Sequence, residues 1–112
     1  MGDDAAKIGR TEALFRDVNE RIAEGAASFG LGTTEFLCEC ADPTCTERLS
    51  VDLDEYERVR TSATHFLLAP GHELAPQVER VVRHRGRYQV VRKVHDVVVA
   101  VVRRLDPRAE PA

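Results

Sequence analysis

Phe36-Leu37-Cys38-Glu39-Cys40-Ala41-Asp42-Pro43-Thr44-Cys45 places three thiols within eight residues, on either side of a turn. Glu35 to Cys40 reads as a short strand running into a loop, and Ala41-Asp42-Pro43-Thr44 has the composition of a reversal. The chain therefore doubles back and returns Cys45 toward Cys38 and Cys40. Two thiols one residue apart are poorly placed to bond each other, and three is an odd number, so a disulfide framework is a poor reading. Thiolates bind Zn²⁺ well because the ion is borderline soft and accepts the tetrahedral cage that a protein builds easily. The competing reading is three buried small hydrophobes with no metal, since free cysteine is commonly buried.

Three sulfurs need one further ligand. His72 is the best candidate because it follows Pro70-Gly71, a turn at the end of an apolar run, where an imidazole can point inward. His65, at the start of that run, is the runner-up. Four protein ligands leave no open position for an activated water, which argues against a zinc hydrolase. A zinc enzyme would need a vacant position and Glu73 or Glu39 as base. The zinc-deaminase pattern fails on order and spacing, since His72 and Glu73 are adjacent and the histidine follows the cysteines. Iron–sulfur clusters normally ask for four cysteines. Ser28, Ser50 and Ser62 stand in no nucleophile elbow, and no glycine-rich phosphate loop is present.

Outward from the cysteines, Ile8 to Ala27 carries Ile8, Leu14, Phe15, Val18 and Ile22 at helical spacing, with Arg16/Glu20 and Asp17/Arg21 expected to pair on the solvated face. Gly25, Gly30 and Gly32 end that helix, and Ala26 to Thr34 reads as a connector. Arg48 to Val51 is a second strand; Asp52 with Glu55 forms a capping-box pattern opening a short helix, Leu53 to about Arg60. His65 to Leu68 is a strand, and Val78 to Val94 a hairpin turning at Arg85-Gly86. Asp96 to Leu105 is ambiguous. Its valines favour a strand, whereas Asp96 as a cap and the 98/101/102/105 spacing favour a helix, the preferred assignment. His84 and His95 read as solvated surface residues. The expected fold is α+β: a small antiparallel sheet with an N-terminal helix, a short middle helix and a possible C-terminal helix packed on one face, stapled by a zinc site. Residues 1–106 form one domain and 107–112 a disordered tail.

The chain has 112 residues, 43% of them hydrophobic, with four Phe, two Tyr and no Trp. Its core must rest on aliphatic side chains, and a metal staple is a useful addition at this size. No run approaches the roughly 18 to 20 apolar residues of a membrane span. The acidic start, Met1-Gly2-Asp3-Asp4, does not resemble a secretory signal, so the expected compartment is the cytosol, where clustered thiols serve as ligands rather than bridges. Charge is uneven: residues 1–79 sum to −9 and residues 80–112 to +6. The basic hairpin offers Arg80, Arg83, Arg85, Arg87, Arg92 and Lys93 to phosphates and Tyr88 to a base, unless these are one solvated strand face.

Phe36-Leu37-Cys38-Glu39-Cys40 with Cys45, Glu55-Tyr56-Glu57-x-Val59-Arg60, Pro70-Gly71-His72-Glu73 and Tyr88-x-Val90-Val91-x-Lys93 together resemble a family of small uncharacterised bacterial proteins of high-GC genomes. The likeness runs from the first helix to Asp106-Pro107-Arg108. It implies no activity; it implies that His72 and Glu73 share one site with the cysteines and that the last valine-rich run is helical. The functions expected are, in order, a non-enzymatic zinc module acting on a macromolecular partner, most simply a protein, a nucleic-acid binder using the basic hairpin, and a thiol-based redox or metal sensor.

Overall fold

The computed structural model describes residues 2–108. The elements, in chain order, are α1 (Gly2–Ser28), β1 (Thr33–Leu37), β2 (Arg48–Asp52), α2 (Leu53–Val59), β3 (His65–Leu68), β4 (Glu79–His84), β5 (Gln89–Lys93) and α3 (Asp96–Arg104). The fold is α+β, with two small antiparallel sheets: β1 pairs with β2, and β5 lies between β3 and β4. No helix among the described residues is long and apolar enough to cross a membrane. Pro107 and Arg108, expected in a disordered tail, are among the described residues, and Arg108 pairs with Glu20 at 2.9 Å and Glu57 at 2.7 Å. Residues 109–112 of that tail lie outside the described residues.

The long helix α1 buries the expected stripe only in part: Ile8 and Ile22 pack half-buried against the core, but the fully buried positions are others. Leu14 and Val18 face solvent, at 63% and 38% exposure, while Ala5, Gly9, Glu12, Ala13, Arg16, Asn19, Glu20, Ala23 and Ala26 are buried. This set repeats at three and four residues, so it is one helical face, made of small residues with four polar ones, Glu12, Arg16, Asn19 and Glu20, at its centre. Each polar member has a dedicated partner elsewhere. Arg16 donates to the carbonyls of Ala63 and Val102, both at 2.6 Å, with its guanidinium over the Phe66 ring. Glu20 pairs with the buried Arg60, which also holds Asp106. Glu12 pairs with Lys93, which also holds Glu79. The expected Arg16/Glu20 surface pair is thus replaced by two buried networks. α1 also meets α3 closely: a Cβ on Gly9 would lie 2.9 Å from Val101 Cβ, so only glycine fits this crossing.

Elsewhere Phe36 and Tyr56 stack with centroids 4.3 Å apart, joining β1 to α2. The capping box at α2 does not form. Asp52 is the N-cap residue but makes no side-chain cap bond; its Oδ1 accepts from Thr33 Oγ1 at 2.6 Å, while Glu55 turns to Arg58 and Arg83. The last run is a helix, capped by His95 rather than Asp96: the His95 ring accepts the Val97 N–H. Val98, Val101 and Val102 are buried and Leu105 is largely exposed.

Candidate metal centre

Sγ of Cys38, Cys40 and Cys45 and a ring nitrogen of His72 all lie within 4.8 Å of one another. Three separate pieces of chain deliver them. Cys38 and Cys40 leave the end of β1, where the Cys38 N–H still bonds the Glu47 carbonyl at 3.0 Å. Asp42 then closes the reversal: its carboxylate accepts from the Thr44 N–H at 2.9 Å and from Thr44 Oγ1 at 2.7 Å, and its carbonyl accepts the Cys45 N–H at 3.1 Å. This aspartate turn brings Cys45 back. From β3, Ala69-Pro70-Gly71-His72 turns with the His72 N–H on the Ala69 carbonyl at 3.1 Å and Gly71 at φ 84°. Proline second and glycine third with positive φ is the pattern of a type II turn.

Glu39, the residue between Cys38 and Cys40, laces these arms together. It is fully buried; its N–H donates to the Leu67 carbonyl at 2.8 Å, and its Oε1 accepts the Leu67 N–H at 2.9 Å. Oε2 accepts from Asn19 Nδ2 at 2.8 Å. Burial pushes the Glu39 carboxyl upward, against the opposing effect of these donors. With both oxygens engaged inside the fold, Glu39 is not available as a base toward the metal centre.

Two edges of the cluster have the length a tetrahedral ion requires. Nδ1 of His72 lies 3.6 Å from Sγ of both Cys38 and Cys45. Metal–sulfur and metal–nitrogen bonds of zinc length, set at the tetrahedral angle, give an S···N edge of about 3.6 Å. The Ala69 N–H donates to Cys38 Sγ at 3.1 Å, a contact that favours thiolate. Burial acts the other way, raising the thiol pKa of Cys38 and Cys40. A divalent cation bound there would resolve that opposition by neutralising the sulfurs where they sit. Cys38 and Cys40 are buried, Cys45 and His72 half-buried, and a shallow 280 Å³ cleft lined by Cys40, Ala41, Asp42, Gly71, His72 and Leu74 adjoins the cluster.

His72, not His65, is the histidine brought to the thiols; His65 lies in a separate cleft beside Arg58 and Arg83. Glu73 follows His72 but stands outside the cluster, accepting from Gln89 Nε2 at 2.6 Å, which lowers its pKa. The expectation that Glu73 shares the site is therefore corrected. Sequence reasoning missed Asn19 and the lacing role of Glu39, whose partners lie 18 to 28 residues away.

The basic hairpin is altered as a phosphate-binding face. Lys93 is fully buried between Glu12 and Glu79 and cannot meet a ligand, because β5 turns it toward α1. Arg83 and Arg85 face Glu55, Tyr88 is half-buried, and Arg80, Arg87 and Arg92 remain exposed. A bulge between Val81 and Arg83 also breaks the regular alternation expected along β4.

Compared with known proteins, the chain matches no protein-family model, no curated sequence and no solved structure.

Proposed function

We propose that this chain is a small zinc module whose ion is structural and which works, without catalysing a reaction, by contacting a protein partner. The observation that carries the metal assignment is the pair of 3.6 Å edges from His72 Nδ1 to Cys38 and Cys45. Three thiolates and one imidazole select zinc over harder cations, and four protein donors fill its sphere. The ion would tie the end of β1, the Asp42 turn and the end of β3 into one unit. Contact with a partner is supported by large exposed apolar side chains, Phe29 at 83% and Leu31 at 51%, just beyond α1.

Elemental analysis of the purified chain tests the metal, with one zinc per chain expected and less than stoichiometric metal in Cys45→Ser and His72→Ala. A chain that is folded, metal-free and unaffected by chelator would overturn the reading. A second reading, a thiol-based redox sensor, is favoured by the half-buried Cys45 beside the exposed Asp42-Pro43-Thr44 turn, from which an oxidant reaches sulfur. Zinc release by peroxide together with a changed affinity for the partner distinguishes it.

A further inference from the structure

A second site lies away from the metal centre, in the cleft between the end of α2 and the three-stranded sheet. It has a volume of 270 Å³ and is lined by Arg58, Thr61, His65, Val82, Arg83 and Val90. None of these residues belongs to the metal cluster.

Val82 and Arg83 are neighbours in β4, yet both line the cleft. On a regular strand consecutive side chains point to opposite faces, so one of them would be lost to it. The bulge prevents that: Val81 stands opposite Val91 and Arg83 opposite Val90, leaving Val82 as the extra residue. Bulges of this kind re-aim side chains beside functional sites.

The charge there is unbalanced. Among the described residues Glu55 is the one carboxylate in ion-pair range of Arg58, Arg83 and Arg85, at 2.6, 3.3 and 4.0 Å. Arg58 and Arg83 lie on the cleft wall and Arg85 outside it, so the three guanidiniums that share this carboxylate leave the cleft net positive. Nε of Arg83 is buried and meets no acceptor among the described residues, an open valence on a group that donates only. His65 is held toward its neutral form by burial and by Arg92 and Arg83, so its ring adds a hydrogen-bonding edge rather than another charge. Val82 and Val90 supply apolar walls.

We propose that this cleft binds a phosphate monoester, the terminal phosphate of a nucleotide or of a nucleic-acid strand. Such a group carries about −1.5 to −2 charge at neutral pH and offers three acceptor oxygens, against two on a carboxylate, to the Arg58 and Arg83 guanidiniums and to the unpaired Arg83 Nε–H. Planar guanidinium forks at Arg58 and Arg83 suit its oxygens, and the cleft is at the small end of ligand sites, sized for a head group rather than a whole cofactor. The inference is independent of the zinc reading.

The test is calorimetric titration of the intact, metal-loaded chain with inorganic phosphate, a nucleoside 5′-monophosphate, and one short single strand with either a 5′-phosphate or a 5′-hydroxyl. Saturable binding of a phosphorylated probe is expected, weakened about tenfold or more in Arg58→Gln, whose side chain is 60% exposed and whose loss leaves the core intact. Tighter binding of the monophosphate than of the strand assigns a nucleotide; the reverse, with the 5′-hydroxyl strand inert, assigns a strand end. Equal binding of the two strands at an affinity no weaker than that of the monophosphate, no binding of any probe at low salt, or full affinity in both Arg58→Gln and Arg83→Gln overturns the proposal.

Discussion

Asn19 pairs its side-chain amide with both backbone groups of Leu37, donating to the carbonyl at 2.9 Å and accepting the N–H at 2.8 Å. It acts as one residue of a neighbouring strand would, satisfying the edge of β1 among the described residues, immediately before Cys38, the first cysteine of the candidate metal centre. The same Nδ2 reaches Glu39, so one buried side chain on α1 fixes the whole Leu37 to Glu39 segment.

Asn19→Leu removes these bonds and leaves the Leu37 backbone groups and Glu39 Oε2 without partners. A loss of about 2 to 4 kcal/mol is expected from stranding several buried polar groups. Urea unfolding of the metal-loaded chain measures it, and a change under about 0.5 kcal/mol would show that water replaces the amide.

Chelation should cost far more stability than any single surface change. Stripping the ion from Cys38, Cys40, Cys45 and His72 leaves three thiols and a histidine within 4.8 Å with nothing at their centre. A large fall in Tm, reversed by adding zinc, is expected because structural zinc contributes directly to folding. Cys45→Ser should reproduce the fall without chelator, whereas His65→Ala, in the other cleft, should leave metal content unchanged.

The buried Glu12–Lys93–Glu79 group gives a pH dependence with a definite sign. Burial is the largest influence on Glu12 and Glu79 adds to it, outweighing Lys93 and pushing the carboxyl up from 4.5 to about 8. Between those values the folded chain keeps a proton that the unfolded chain has released. Glu12 therefore contributes its full stabilisation below pH 4.5, and the contribution is lost as pH rises through about 8, with a total on the order of a few kcal/mol. Denaturation curves from pH 5 to 9 should show the decline, and Glu12→Gln should flatten it; an unchanged slope in the variant would place the titration elsewhere.

Gly9→Ala should destabilise despite alanine's advantage of about 1 kcal/mol in a helix, because the new Cβ meets Val101 at 2.9 Å. Overpacking of about 1 to 3 kcal/mol is expected, and adding Val101→Ala should recover much of it. Additive losses in the double variant would mean that the helices do not touch there.

The elements were legible because their signals are local. A reversal at Asp42-Pro43, a positive-φ glycine at Gly86, where φ is 73°, and the 98/101/102 spacing each act over a few residues. The capping box failed because Glu55 pairs with arginines of α2 and β4 and Asp52 accepts from Thr33, so neither side chain turns to the first N–H groups of the helix. The inward face of α1 failed for a related reason. Apolar periodicity assumes that buried means apolar, whereas Arg16 and Asn19 are buried against backbone carbonyls of residues 63, 102 and 37.

By itself the sequence determined the candidate ligands and the two turns that present them, since donor chemistry and turn preference belong to residues and their near neighbours. The tertiary structure alone decided which histidine joins the thiols, that Glu39 and Asn19 hold the ligand-bearing segment, and that Lys93 is sealed inside while Arg58 and Arg83 line an open cleft. Those outcomes depend on desolvation and on partners far along the chain, and burial changes what a charged side chain does more than its identity reveals.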